Sequence, residues 1–303
     1  MRHFARSLRA ALLLAFLASV VSSSALAGDA PAVREANFRI RGDYTWLHYF
    51  SDEVLQFTPG PTTRVDIQEV DIDSGGFTGT YVTPLAALGD EFGLRVFAGP
   101  RFSEVQPDVS RDTQAYGFTT GGEVFWRDPA IGEVGAGTFY AWDESESGSV
   151  DRSNHEAGVL AYGKAFFGTP GEGIPFDLDV TLAFSDADID SSGANSADRT
   201  YSANGGVRAY LNDRTAVRLG GVWSRTNLGQ TDHVEDKLAT IDLEVLLPTA
   251  RNVVLGGGFI VGDRTEAFSA FQNYGRMVFG ITLNATVSFT GAETLAELRR
   301  NFF

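Results

Sequence analysis

Residues 277–289 read MVFGITLNATVSF, and this stretch decides the fold. Its odd positions are apolar, from Met277 to Phe289, whereas most of its even positions are small or polar, as at Thr282 and Asn284. Alternation with a period of two predicts a β-strand that has one apolar and one polar face. A usual strand of a soluble sheet has about 5 to 6 residues, and this one is about long enough to cross a bilayer tilted. We therefore interpret it as a transmembrane strand.

The beginning of the chain has the pattern of an export signal. Three arginines among the first nine residues precede an apolar run at 10–21, and residues 25–27 (ALA) match a small-residue cleavage site. We therefore expect residues 1–27 to be a secretory signal peptide that is removed. A membrane anchor is the weaker interpretation, because a spanning helix needs about 18 consecutive apolar residues.

The composition excludes several classes of function. The chain has 24 basic and 39 acidic residues, so removal of the three signal arginines leaves a formal charge of −18. Such an acidic surface argues against nucleic-acid binding and favours cations as partners. The chain has no cysteine, which excludes disulfides, thiol nucleophiles and cysteine–metal sites. Dinucleotide, phosphate-loop and zinc motifs are not found, and we expect neither a cofactor nor a metal.

The same test for alternation predicts twelve strands, at 37–49, 75–85, 92–102, 115–126, 133–142, 156–167, 176–185, 201–211, 215–223, 239–247, 253–261 and 277–289. Short connectors follow the even strands, at 88–90, 128–131, 168–173, 212–214 and 248–252. Long polar segments follow the odd strands, at 51–63, 103–114, 143–155, 186–200, 224–237 and 262–273, and residues 64–74 are expected to project.

The alternation of connector lengths predicts an architecture and an orientation. Bacterial barrels have short periplasmic turns and long extracellular loops, so the first strand should begin, and the twelfth should end, in the periplasm. We predict an all-β fold, a transmembrane antiparallel up-and-down barrel of about 12 strands. A soluble sandwich is the alternative, but it gives no reason for alternating loop lengths.

Aromatic residues near the ends of the predicted strands are typical of the girdles at membrane interfaces. General β-propensity is the competing explanation, since it enriches aromatic residues in every strand. The candidates for the outer girdle are Tyr44, Trp46, Tyr116, Tyr140, Trp142, Tyr201 and Trp223, and Trp126 is a candidate for the periplasmic girdle.

On its export signal, alternating loops and two-faced strands, the chain resembles the bacterial outer-membrane β-barrel or porin-like superfamily over nearly its whole mature length. The resemblance implies a place in the cell outer membrane, contact with outer-membrane lipids and lipopolysaccharide, and insertion by the barrel-assembly machinery. We expect a periplasmic N-terminal segment at 28–36, the barrel at 37–289 and a periplasmic C-terminal tail at 290–303.

The tail departs from the pattern of this superfamily, whose members usually end on the aromatic residue of the last strand, here Phe289. Leu295, Leu298 and Phe302 would share one side of a short helix, and Phe302 with Phe303 could replace the terminal aromatic residue. The tail is therefore either a periplasmic appendage or a segment that packs into the lower mouth of the barrel.

Charged residues on the polar faces of the strands imply a lumen, because a charge that faces lipid is costly. The candidate pore-lining residues are Arg39, Arg41, Asp43, Arg95, Arg101, Glu123, Arg127, Lys164, Asp177, Asp179, Arg208, Arg218, Asp242 and Glu244, with Glu133 and Glu156 on the same faces. Arginines of the first and third strands should form a basic arc opposite aspartates of the seventh. Inward glycines, such as Gly135 and Gly256, should widen the lumen locally.

From these faces we hypothesise a narrow diffusion channel for small polar or charged solutes, since facing clusters of charge are how pores select ions. The alternative is that the charges pair into a network that closes the barrel, because buried charges are usually paired. A surface adhesion or structural role of the loops is a further alternative, and it predicts a barrel that inserts without conducting.

Catalysis and cation binding have weaker support. Ser153 and His155 are two positions apart, but outer-membrane phospholipases have the His before the Ser, so we predict no catalytic residue and no enzyme. The run 186–190 begins like a calcium loop but lacks the glycine and the bidentate glutamate that such a loop needs. A solvated acidic surface is the better interpretation, with divalent cations as possible partners of the acidic loops.

Overall fold

The computed structural model describes residues 36–50, 52–56, 63–85, 87–89, 91–108, 112–128, 130–147, 150–168, 174–191, 194–228, 232–250, 252–268, 273–289, 292 and 294–302. The expected signal peptide, residues 28–35 and Phe303 lie outside this part of the chain. The described strands are β1 (Asn37–Tyr49), β2 (Asp52–Gln56), β3 (Thr63–Ile67), β4 (Val70–Pro84), β5 (Phe92–Pro107), β6 (Thr113–Asp128), β7 (Gly132–Ser147), β8 (Val150–Phe167), β9 (Phe176–Ser191), β10 (Ala194–Asn212), β11 (Thr215–Leu228), β12 (Asp232–Leu246), β13 (Val253–Ala267) and β14 (Tyr274–Ser288). One described helix, α1 (Leu295–Phe302), follows them.

Twelve of these strands close into one antiparallel barrel, which confirms the predicted fold class and strand number. The order around the barrel is β1, β14 and then each preceding strand down to β4, which pairs with β1 and closes the ring. The strands β2 and β3 form a separate two-stranded hairpin between β1 and β4. Because β1 begins and β14 ends at the same end of the barrel, we call this end the terminal end and the opposite one the far end.

Several strands reach further toward the far end than the sequence predicted. Residues 186–191 and 194–200, expected in a loop, pair with each other as the ends of β9 and β10. Residues 70–74, expected to project, pair with both β1 and β5. The predicted strands end where the residues of the outer face become polar, as at Asp186 after Phe184. Backbone pairing continues beyond that point because inter-strand hydrogen bonds need no apolar face.

The two faces of the wall have the predicted polarity. On β14, Met277, Ile281 and Leu283 are exposed on the outside, whereas Thr286 and Ser288 are buried on the inside. Large apolar side chains such as Leu182 and Phe259 are likewise exposed on the outer face of other strands. A lipid environment suits such a surface, since soluble proteins rarely expose apolar patches of this extent. Among the described residues, no helix is long and apolar enough to span a membrane.

The helix α1 packs into the terminal end of the barrel, which is the second of the two placements considered for the tail. Its backbone is capped by Thr294, whose hydroxyl accepts a hydrogen bond from the Glu297 N–H at 3.1 Å. Leu295 and Leu298 are fully buried. They belong to an apolar cluster formed by Tyr210, Ala216, Leu246, Val254, Ala292, Leu295, Ala296 and Leu298.

Candidate functional site

The inner faces of the strands enclose cavities, and three that are lined by described residues adjoin one another. Their volumes are about 570, 500 and 430 Å³, and Asp43 lines all three. The predicted pore-lining residues in their walls are Arg39, Arg41, Asp43, Arg95, Arg101, Glu123, Lys164, Asp177, Asp179, Arg208, Arg218, Asp242 and Glu244. The remaining one, Arg127, is buried beside this group. That solutes pass these residues stays a prediction.

One buried cluster surrounds Glu133, near the terminal end of the barrel. The register sets Arg127 opposite Glu133 and Glu133 opposite Lys164 on consecutive strands. Arg95 contacts Glu133 at 2.8 Å and Glu123 at 2.6 Å, Arg127 pairs with Glu133, and the Lys164 ammonium lies 3.8 Å from it. Glu133 is thus shared by three cations, one of which also pairs with Glu123, so this cluster has three positive and two negative side chains.

On the adjoining strands β9 to β12, carboxylates and arginines also pair with each other. Arg218 donates to Asp179 at 2.7 Å, and Arg208 lies 3.0 Å from Glu244. The inward carboxylates of β9 therefore do not form a bare acidic arc opposite the arginines of β1 and β5, because each is paired with an arginine where it lies. The physical reason is that a long inward side chain reaches a partner two strands away, and a buried charge left unpaired is costly.

The helix α1 adds two arginines to the lumen. Arg299 donates to Glu244 at 2.7 Å, and Arg300 donates to Asp177 at 2.9 Å and to the Gly168 carbonyl at 2.9 Å. Burial lowers the pKa of the Arg299 guanidinium, the Glu244 carboxylate raises it, and the nearby cations Arg208 and Arg41 lower it further. Neither arginine is among the predicted lumen residues, although the apolar spacing of the tail indicated a helix that packs.

Inward glycines do not widen the lumen as expected. A Cβ atom at Gly135 would lie 2.7 Å from the Tyr162 ring, and one at Gly256 would lie 2.6 Å from the Asn284 amide oxygen. Each glycine is therefore covered by a side chain of the next strand, an aromatic ring at Gly135 and an amide at Gly256. The space that a glycine leaves is filled from its neighbour and is not added to the cavity.

No family model matches the chain, and no curated protein matches it. Solved structures do match it. An outer-membrane channel from Pseudomonas putida F1 is 16% identical with a TM-score of 0.54, and the match covers 86% of this chain and 98% of that one. The translocator domain of the autotransporter NalP from Neisseria meningitidis is 8% identical with a TM-score of 0.44, covering 93% and 97%. A FadL homologue from Pseudomonas aeruginosa is 9% identical with a TM-score of 0.41, covering 84% and 89%.

The fold is that of an outer-membrane β-barrel. At these identities the likeness shows the fold alone. What the barrel does depends on its own lumen and outer face.

The predicted girdle residues all lie on the outer face of the barrel wall, at positions that alternate with the lumen residues. Trp223 donates its indole N–H to Glu235 at 2.9 Å, and the Tyr44 hydroxyl donates to Asp73. Their role at a membrane interface stays a prediction. The exposed ones are Tyr116, Tyr140, Tyr201 and Trp223, and the partly buried ones are Tyr44, Trp46, Trp126 and Trp142.

Ser153 and His155 lie within β8, where the sequence had placed them in a loop. The Nδ1 atom of His155 is 2.7 Å from the Tyr140 hydroxyl on the neighbouring strand β7.

The acidic run of β9 carries Asp186, Asp188 and Asp190 on the outer face of the strand, exposed to solvent. Alternate residues of a strand are about 6.6 Å apart, so these carboxylates do not converge on one point. Asp186 pairs with Arg199 of β10 at 2.9 Å. Among the described residues, no group of three potential metal ligands is close enough to hold an ion.

Proposed function

We propose that this barrel is a narrow channel of the cell outer membrane for small polar or charged solutes, constricted at its terminal end by α1. The observation that carries the proposal is the lumen itself, in which adjoining cavities of about 430 to 570 Å³ have charged and hydroxyl-bearing walls. Twelve strands lie between barrels of about 8 strands, which side chains fill, and those of about 16, which hold an aqueous channel.

The polarity of the cavities supports hydrated rather than apolar solutes. An apolar molecule in contact with Arg41, Asp43 or Asp242 would remove water from these groups without replacing its hydrogen bonds, which is costly. A polar or charged solute can replace those bonds. The lumen therefore favours solutes that carry their own donors, acceptors or charge.

The outer face supports the proposed location. In this proposal residues 1–27 direct export and are cleaved after Ala27, the barrel-assembly machinery inserts the chain, and outer-membrane lipids and lipopolysaccharide cover the apolar wall. The terminal end then faces the periplasm, as expected for the end at which the strands of such barrels begin and finish. The exposed aspartates of the far end would lie near the lipopolysaccharide, where divalent cations are the expected partners.

The test is conductance of refolded residues 28–303 in a planar bilayer with potassium chloride. We expect a small ohmic current that falls in Thr119→Trp, because Thr119 lines two of the cavities. Thr120→Trp is the matched control, since the neighbouring position faces outward and leaves the lumen unchanged. A folded, heat-modifiable barrel that passes no current would overturn the channel and favour the adhesion role.

A further inference from the structure

The two larger cavities differ in their balance of charge. The described lining of the cavity of about 570 Å³ has five basic and five acidic side chains, which are Arg41, Lys164, Arg208, Arg218, Arg299, Asp43, Asp177, Asp179, Asp242 and Glu244. The described lining of the cavity of about 500 Å³, which we call the basic cavity, has five basic and two acidic side chains, which are Arg39, Arg41, Arg95, Lys164, Arg299, Asp43 and Glu123.

The excess of positive charge in the basic cavity is not balanced by the carboxylates behind it. Glu123 pairs with Arg95 at 2.6 Å, so one of the two acidic groups is already neutralised. Glu133 lies deeper and is shared by Arg95, Arg127 and Lys164, and therefore adds less negative charge than its neighbours add positive charge. Asp43 is the remaining acidic group of the lining, and Glu244, outside the lining, pairs with Arg299 at 2.7 Å. With Glu133 and Glu244 included, the cations around the basic cavity still outnumber the carboxylates.

The cations come from separate elements, so they face the cavity from different sides. Arg39 and Arg41 project inward from β1, Lys164 projects from β8, and Arg299 is brought in by α1. Arg41 is exposed within the lumen. A ligand in this space would be contacted by guanidinium and ammonium groups on more than one side.

Hydroxyl groups stand beside these cations. Thr80 is opposite Arg39 in the register of β4 and β1, and Thr78 and Thr286 are opposite Arg41 on its two neighbouring strands. All three threonines line the basic cavity. Guanidinium groups bind carboxylate and phosphate oxygens in pairs, and hydroxyl groups donate to the oxygens that remain.

We propose that the basic cavity binds small oxyanions, meaning carboxylates or phosphate, and makes the channel selective for anions. The inference rests on the proposed channel function, and it adds the class of solute. The acidic outer surface of the chain, whose formal charge is −15 overall, gives no hint of this preference. The preference arises only because the fold brings these basic side chains together around one cavity of the lumen.

Two measurements test the inference separately. The first is titration calorimetry of the detergent-solubilised refolded barrel with inorganic phosphate and with acetate, which needs no current. We expect binding, weakened about tenfold or more in Arg41→Gln and further in Arg39→Gln/Arg41→Gln, as for the loss of a hydrogen bond to a charged group. The probe that binds more tightly shows whether the cavity prefers phosphate or a carboxylate. Arg199→Gln is the matched control, because it removes a positive charge from the outer face.

The second measurement is the reversal potential of the channel in a tenfold gradient of potassium chloride. We expect the sign for anion selectivity in the wild type and in Arg199→Gln, and a shift toward cation selectivity in the double variant. Current with a cation-selective or neutral reversal potential would overturn the inference and leave the channel function standing. Absence of current would overturn the channel function. If neither phosphate nor acetate binds in the calorimeter, the oxyanion site is overturned as well.

Discussion

Removal of residues 290–303 should enlarge the terminal end of the lumen. Twelve strands about 4.8 Å apart and tilted by about 40° give a barrel about 24 Å across between backbones. Inward side chains take up part of this width, and a helix with its side chains is about 10 Å in diameter. The helix α1 therefore occupies a large share of the cross-section, and we expect single-channel conductance to rise at least about twofold without it.

The truncated barrel should still fold, because its closure does not depend on the tail. Phe289 donates its N–H to the Phe38 carbonyl at 2.9 Å, and β14 pairs with β1 before the tail begins. Glu244 keeps Arg208 as a partner, and Asp177 keeps the Tyr210 hydroxyl. The cost is the lost burial of Leu295 and Leu298, about 1.5–3 kcal/mol for each side chain.

The assay is single-channel recording of the truncated and full-length proteins, with heat-modifiable migration in gels as the check of folding. Leu298→Asp tests the same point without shortening the chain, since a carboxylate cannot stay in the apolar cluster and should release α1. Leu298→Met is its control because it conserves volume and polarity. Unchanged conductance in both the truncation and Leu298→Asp would refute the idea that α1 constricts the lumen.

Two further predictions concern stability, measured by unfolding in detergent micelles. Arg300→Ala should lower the free energy of unfolding by about 3–5 kcal/mol, because α1 would still cover Asp177 but would no longer supply its cation. Asp177→Asn in the same chain should recover much of this loss. An Arg300→Ala variant as stable as the wild type would contradict a buried ion pair. Gly135→Ala should lower the free energy of unfolding by about 1–3 kcal/mol, because the new Cβ atom would collide with the Tyr162 ring. Gly163→Ala is the control: its Cβ atom would have its nearest neighbours at 3.9 Å, and the free energy of unfolding should change by less than about 0.5 kcal/mol.

The strand pattern shows what local sequence can predict. Residues 277–289 alternate along most of their length, and β14 has the predicted faces from Met277 to Leu283 because the period of a strand is fixed by its backbone. Ala285 and Val287, at outward positions, are buried in a local apolar cluster. The pattern at 186–200 failed, because the outer face of β9 becomes acidic beyond Phe184 while pairing with β10 continues. The alternation of apolar and polar residues therefore marks only the part of each strand that has an apolar outer face, and the strands extend beyond that part.

For the lumen residues, too, the sequence predicts one property and leaves another open. The inward position of Arg41 or Asp179 follows from counting along one strand, but the partner of each depends on register, which relates residues far apart in the chain. Asp179 pairs with Arg218, 39 positions away, and Asp177 pairs with Arg300 of a helix that follows the whole barrel. Such contacts leave no periodic signal in the sequence.

The sequence by itself determined the class of fold, the number of barrel strands and which side chains point inward, because each of these follows from local alternation of polarity. The tertiary structure alone decided that the charges of β9 are neutralised in place, that neighbouring side chains fill the space above inward glycines, and that α1 closes part of one end. It also decided that basic side chains outnumber acidic ones in the lining of one cavity. These properties depend on closure and register, through which distant segments of the chain come to share one lumen.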